Sequence, residues 1–195
     1  MKFMNNSFEE FKGDVKSIRE ELTEVKNRSL QCHCENDRLK REMKDVKRQL
    51  VELKQYSRKT NLALKGVPFT ENEDLKETLK QITTRLGVDV LSQDIGVVHR
   101  VASKGLPIVI VKFNSRSSRD SVLQVAKNNR LNMAMLGFAT NEPVYFNEHL
   151  CPENKVFLGI VISTKREKNR KFAGVSDDKI LKRKSEKAKV LPITC

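Results

Sequence analysis

Between Phe8 and Ser57, alternating steps of three and four residues land on Phe8, Phe11, Val15, Ile18, Leu22, Val25, Ser29, Cys32, Asn36, Leu39, Met43, Val46, Leu50, Leu53 and Ser57. Twelve of these fifteen are apolar, counting Cys32. Seven heptads in a single phase, uninterrupted by proline, predict a coiled-coil helix over residues 7–57 whose apolar seam needs a second helix to cover it. Ser7 with Glu10 three residues on fits a capping box at the start of that helix. The other reading, one amphipathic helix lying on its own domain, needs only a short stripe.

The flanking charges choose an orientation. The g positions read Ser7, Asp14, Glu21, Arg28, Glu35, Glu42 and Gln49, and the e positions Lys12, Arg19, Lys26, His33, Lys40, Lys47 and Lys54. A parallel, in-register assembly sets Asp14 opposite Arg19, Glu21 opposite Lys26, Glu35 opposite Lys40 and Glu42 opposite Lys47 of the neighbouring chain. An antiparallel one sets lysine against lysine. Self-association in parallel is the consistent solution. Asn36 at an a position favours a dimer, while the mixed seam leaves a trimer open. Cys32, His33 and Cys34 lack the spacer and the second ligand pair of a structural zinc site, so Cys32 reads as a seam residue and no metal is expected.

The seam also explains the composition. Of 195 residues, 38% are hydrophobic and 32% charged, against roughly 45–50% and about 25% in ordinary globular domains. A long helix that buries little per residue, joined to a small core, gives that balance. The first residues have no apolar run of the signal-peptide kind, and no stretch of ~18 apolar residues exists to span a membrane. Four cysteines, Cys32, Cys34, Cys151 and Cys195, are too scattered for a disulfide scaffold, and an intracellular setting is expected. The net charge of +13 is uneven: +4 over residues 1–60, +2 over 61–150 and +7 over 151–195. An excess of that size points to an acidic partner, most commonly nucleic acid.

After Ser57 the period changes. Leu62–Pro68 reads as a short strand, Thr70–Glu73 as a helix entry, and Leu75, Leu79, Ile82 and Leu86 as a helix face closed by Gly87. Ile95–Val101 alternates as a strand. Pro107–Phe113 reads as a strand buried on both faces, Ser115–Lys127 as a helix and Pro143–Asn147 as a fourth strand. The order β-α-β-β-α-β over residues 60–148 is the ferredoxin-like arrangement of RNA-recognition motifs. Such domains stack bases on aromatics of strands 1 and 3. Here Leu62, Ala63 and Leu64 occupy strand 1, and strand 3 is aliphatic up to Phe113. Phosphate contacts would therefore supply most of any nucleic-acid affinity.

Residues 149–195 read as a small, basic α+β domain. Pro152 and Glu153 mark a helix start running to about Lys168, although Gly159 and Ile160-Val161-Ile162 leave a strand open. Lys171–Val175 and Lys179–Lys184 flank Ser176-Asp177-Asp178 as a hairpin. Lys179, Lys182, Arg183, Lys184, Lys187 and Lys189 make one basic cluster; Lys165, Arg166, Lys168, Arg170 and Lys171 make another. Same-sign charges at that density are disfavoured unless a polyanion is expected.

Several stretches resemble a family of arthropod retrotransposon-derived proteins similar to the baculovirus few-polyhedra (FP) protein and, more distantly, to the first open-reading-frame protein of LINE retrotransposons. These are Gln55-Tyr56-Ser57-Arg58-Lys59-Thr60-Asn61-Leu62 with Gly66-Val67-Pro68, Val98-His99-Arg100-Val101, Pro107–Phe113, Ser118-Arg119-Asp120, Val144–Leu150 with Pro152–Lys155, and Lys179–Lys184. The resemblance covers roughly residues 50–194. It implies a coiled coil, an RNA-recognition-motif-like domain and a small C-terminal domain; the LINE proteins of this plan are trimers that bind single-stranded nucleic acid and act as chaperones. The basic positions it carries over are Arg100, Lys112, Arg119, Lys155, Lys182, Arg183 and Lys184; Lys179 opens the same basic strand.

The expectation is a non-enzymatic, self-associating binder of single-stranded RNA or DNA, with no cofactor and no small-molecule substrate. The alternative is a coiled-coil interaction module related to the viral proteins, for which nucleic acid is incidental. An enzyme would need a phosphate-gripping glycine loop, paired carboxylates or a metal set, and none is present. His33, His99 and His149 lie far apart with no nucleophile beside them, so His99 and His149 read as structural or partner-contacting residues.

Overall fold

The heptad stretch is a single helix. In the computed structural model, which describes residues 2–102, 107–139, 141–167, 172–183 and 189–193, α1 runs unbroken from Lys2 to Tyr56. The chain divides into two units, Met1–Gln49 and Leu50–Cys195. Over residues 6–49 every side chain is exposed except that of Val15, which is half-buried. Phe8, Phe11, Ile18, Leu22 and Val25 are each 60–66% exposed. These residues form an exposed apolar stripe along the helix. The polar flanks are laced by pairs within the helix, Arg28 to Glu24 at 2.6 Å and Arg38 to Glu42 at 2.8 Å, each worth only about 0.2–0.5 kcal/mol.

The second unit is α+β. Its strands are β1 (Asn61–Lys65), β2 (Ile95–Val101), β3 (Ile108–Phe113), β4 (Leu131–Asn132), β5 (Pro143–Glu148), β6 (Phe172–Ser176), β7 (Lys179–Arg183) and β8 (Leu191–Ile193). Its helices are α2 (Leu75–Leu86), α3 (Arg116–Asn128) and α4 (Pro152–Glu167). Five strands form an antiparallel sheet in the order β2-β3-β1-β5-β4, and three form a second in the order β6-β7-β8.

Alternation sorts the first sheet into two faces. Leu62, Leu64, Val109, Val111, Phe113, Ile95 and Val144 point into one core with Leu79, Ile82 and Leu86 of α2 and Val122 and Leu123 of α3. Phe113 is only 1% exposed and belongs to that core, which removes it as a stacking platform.

Local chemistry sets the element ends. Asp74 Oδ1 accepts the N–H groups of Lys76 and Glu77 at 2.9 and 3.1 Å, so α2 begins at Leu75 and not at Thr70–Glu73. Asn72 in that stretch takes a positive φ of 58°, which turns the chain before the cap. Gly87 closes α2 in the left-handed region, and Ser115 caps α3 by accepting the Ser118 N–H. The segment after Pro152 is helical to Glu167, which resolves the helix-or-strand alternative there. Strands β4 and β8 are additional to the expected set.

Gly66 ends β1 at a φ of +91°, and a Cβ there would run into the carbonyl oxygen of Pro143. Gly66→Ala combines a strained backbone with an immovable neighbour. It should cost about 2–3 kcal/mol, read as a lower urea midpoint with an unchanged slope.

Candidate nucleic-acid interface

The other face of the five-stranded sheet is read from its register. Val97 lies opposite Lys112, and Lys112 opposite Asn61. His99 lies opposite Ile110, Ile110 opposite Ala63, and Ala63 opposite Asn147. Val101 lies opposite Ile108, and Lys65 opposite Tyr145. Ala63 and Ile110, on the two central strands, are buried. The exposed positions therefore form a border around a closed centre: Lys65, Val97, His99, Val101, Lys112, Tyr145 and Asn147. Among the described residues no aspartate or glutamate stands on this face. Base stacking on the two central strands is blocked by that closed centre. Tyr145, 56% exposed on β5, supplies an aromatic at the border instead.

One end of this border is richer in cations. His149 follows Tyr145 and Asn147 at the same alternation and is half-buried. Asn61 Nδ2 lies 3.2 Å from its Nδ1. Burial, aided by the electrostatic influence of Lys155, Arg58 and His99, lowers its pKa from the usual 6.5 to about 4. Lys155, exposed on the first turn of α4, Arg58 from the turn between α1 and β1, and His99 of β2 thus converge on one imidazole.

The expected contact residues fall into different environments. Lys112 and Lys155 are exposed at this border. Lys179 is exposed and Lys182 and Arg183 half-buried on β7 of the second sheet, where the Arg183 guanidinium stands 4.2 Å from the Phe172 ring centroid. Lys184, like Lys168, Arg170, Lys171 and Lys187, lies outside the described residues.

Arg100 is a clamp rather than a free cation. It donates to both carboxylate oxygens of Glu73 at 2.5 Å and to the carbonyls of Val67 and Pro68. Its hydrogen bond holds the Glu73 carboxyl below the usual range, against the opposing effect of burial.

Arg119 is 4% exposed, so its guanidinium cannot meet a phosphate on the surface. It faces Asp120 at 2.5 Å, Glu148 at 3.6 Å and Asp178 at 3.5 Å. Glu148 also accepts the backbone N–H of Asp178 at 2.5 Å. Gln55, at the end of α1, donates to Asp178 and to the His149 carbonyl and accepts from the Cys151 N–H. These contacts cross the boundary expected at residue 148/149 and fix the β6–β7 turn to α3 and β5.

Arg58, Lys65 and Tyr145 were not singled out as contact residues by sequence reasoning, whereas His149 read as structural or partner-contacting. The odd-numbered alternation of Tyr145, Asn147 and His149 was the available signal. Among the described residues no three or more His, Cys, Asp or Glu side chains are grouped to hold a metal ion, and no helix is long and apolar enough to cross a membrane. Compared with known protein families the chain matches none, and no curated protein matches it.

Proposed function

We propose that this chain is a non-enzymatic binder of single-stranded RNA or DNA that self-associates in parallel through α1. The observation that carries the reading is the sheet border. It displays Lys65, Lys112, His99 and Tyr145 with no acidic side chain among its positions, and Lys155 and Arg58 extend it at one end. A polyanion tracks such a border through its phosphates while an aromatic at the edge accepts a base. Lys179, Lys182 and Arg183 offer a second basic strip. Copies joined through the apolar stripe of α1 multiply these contacts, and avidity rises without any new one.

The strand order β2-β3-β1-β5, with α2 after β1 and α3 after β3, supports a ferredoxin-like reading of the first sheet. The resemblance to FP-like and LINE-type proteins supports the same assignment.

Binding of fluorescein-labelled oligothymidylate or oligouridylate should weaken steeply with salt, with a log–log slope of about −0.7 per phosphate neutralised. Charge reversal of Lys65 and Lys112 together should lower affinity at least about tenfold and flatten the slope by about one to two. Anisotropy titrations over a salt series read both. A slope near zero, or a double variant that binds like the native protein, removes the reading.

A protein-interaction module is the second reading, and α4 favours it. Six of its residues, Val156, Phe157, Leu158, Ile160, Val161 and Ile162, are apolar, yet none of the helix is fully buried. Val156 and Ile160, one turn apart, are 66% and 58% exposed.

A further inference from the structure

The last residue of the border carries a donor that the fold leaves unused. Asn61 Oδ1 lies 3.4 Å from the Thr60 hydroxyl, which donates to it, so the amide nitrogen is the end facing His149. An amide N–H can only donate, which makes Nδ1 of His149 the acceptor and puts the ring proton on Nε2. The His149 carbonyl is held by Gln55, so the residue is fixed at both its backbone and its ring. Nε2 has no hydrogen-bond partner among the described residues, and it is not among the fully enclosed polar atoms that lack one. It is an accessible, oriented N–H donor.

Among the described residues, the charged side chains that act on the ring are of one sign. Lys155 on α4, Arg58 in the turn before β1 and His99 on β2 act on the ring, and Asn61 on β1 is neutral. The carboxylate of the preceding residue, Glu148, is turned to the opposite face, toward Arg119 and Asp178. Cations gathered around an unused donor, with no carboxylate among them, are the complement of an anion.

We propose that a phosphodiester of the bound strand seats against Nε2–H of His149, between Arg58 and Lys155, and that seating it draws a proton from solvent onto the imidazole. The site rests on the nucleic-acid reading given above and deepens it. In the free protein burial, with the charges of Lys155 and Arg58, keeps the ring neutral down to about pH 4. A phosphate beside it offsets those cations and favours the charged ring, so the ring titrates higher in the complex than in the free protein. The complex then binds more protons than its separated parts between those two values. Affinity must rise as pH falls through the bound value and level off near the free one.

Oligothymidylate is the suitable probe, since neither thymine nor a phosphodiester titrates in this range. At fixed ionic strength, lowering the pH from about 7.5 to about 5 should tighten its binding to the full chain about tenfold, one proton's worth at most per pH unit. His149→Gln keeps an N–H donor but cannot titrate. It should bind within about threefold of the native protein at the upper pH and lose the rise. His99→Gln should retain it, which separates the two imidazoles. In an NMR titration the His149 ring should protonate at higher pH with oligothymidylate bound than without. A circular dichroism melt of each variant confirms that it is folded.

Equal pH dependence in native and His149→Gln proteins, or a ring that titrates identically with and without the strand, overturns the seat. If salt-dependent binding through Lys65 and Lys112 persists in that case, the broader reading stands without it. If the native protein binds no oligonucleotide at any pH, both fall.

Discussion

Glutamate in place of both Leu39 and Val46 should abolish the self-association proposed for α1 and leave the chain monomeric. Both residues are d positions of the heptad stretch, 47% and 62% exposed on the single helix. Covering an apolar side chain of this size is worth about 1.5–3 kcal/mol, and the stripe repeats that gain along the whole of α1. The substitutions remove two such gains per chain and set like charges against one another across the seam. Helicity should fall with assembly, because a solitary helix draws most of its stability from the packing of its apolar face. Light scattering reads the mass and far-ultraviolet circular dichroism the helix. As a control, Arg38→Ala, which breaks only exposed pairs with Glu35 and Glu42, should change stability by less than about 1 kcal/mol and leave the mass unaltered. A double variant with native mass would show that the stripe is not the seam.

Arg119→Met is the second large effect. It strands Glu148 and Asp178, whose side chains are 3% and 4% exposed, without their common cation. Breaking a buried ion pair from one side costs about 3–5 kcal/mol, because the charges left behind stay out of water and keep only the Lys127 ammonium, 3.7 Å from Glu148, and the neutral donors of Gln55 and the Asp178 backbone. Urea denaturation at neutral pH should show that loss. Burial raises the Asp178 pKa, and the Arg119 charge opposes the rise. With the arginine gone the carboxyl takes a proton more readily, so the penalty should shrink as the pH is lowered. A loss under about 1 kcal/mol at neutral pH would mean that the cluster does not hold the β6–β7 turn.

Arg119 also marks where sequence reasoning stops. As a string, Ser118-Arg119-Asp120 offers an exposed-looking arginine in a helix. Its partners lie 29 and 59 residues downstream, and nothing local announces them. Arg100 is similar: its clamp needs Glu73 and two carbonyls from the loop after β1. The long helix was legible because one period persists for seven heptads, and the main strands and helices of the second unit because each carries its own alternation. Strands β4 and β8, of two and three residues, are too short to carry a period. The start of α2 was misplaced because Thr70–Glu73 reads as a helix entry, whereas the backbone turns at Asn72 and the cap is Asp74. The sheet border was half legible. Lys112 and Lys155 were evident, whereas the neutral state of His149 depends on burial and on charges from three separate elements.

The β6–β7 turn has a consequence for which sequences this position admits. Asp177 and Asp178 take φ values of 52° and 60°, the two left-handed residues of a tight hairpin, where asparagine and glycine are the usual occupants. Asparagine at 178 keeps the backbone shape but gives up the negative charge, while glutamate keeps the charge but suits the left-handed shape poorly. Two unrelated demands, one conformational and one electrostatic, meet on a single residue, and aspartate alone satisfies both. A consensus redesign of this hairpin toward Asn-Gly would perfect the turn and at the same stroke unfasten it from Arg119 and Gln55.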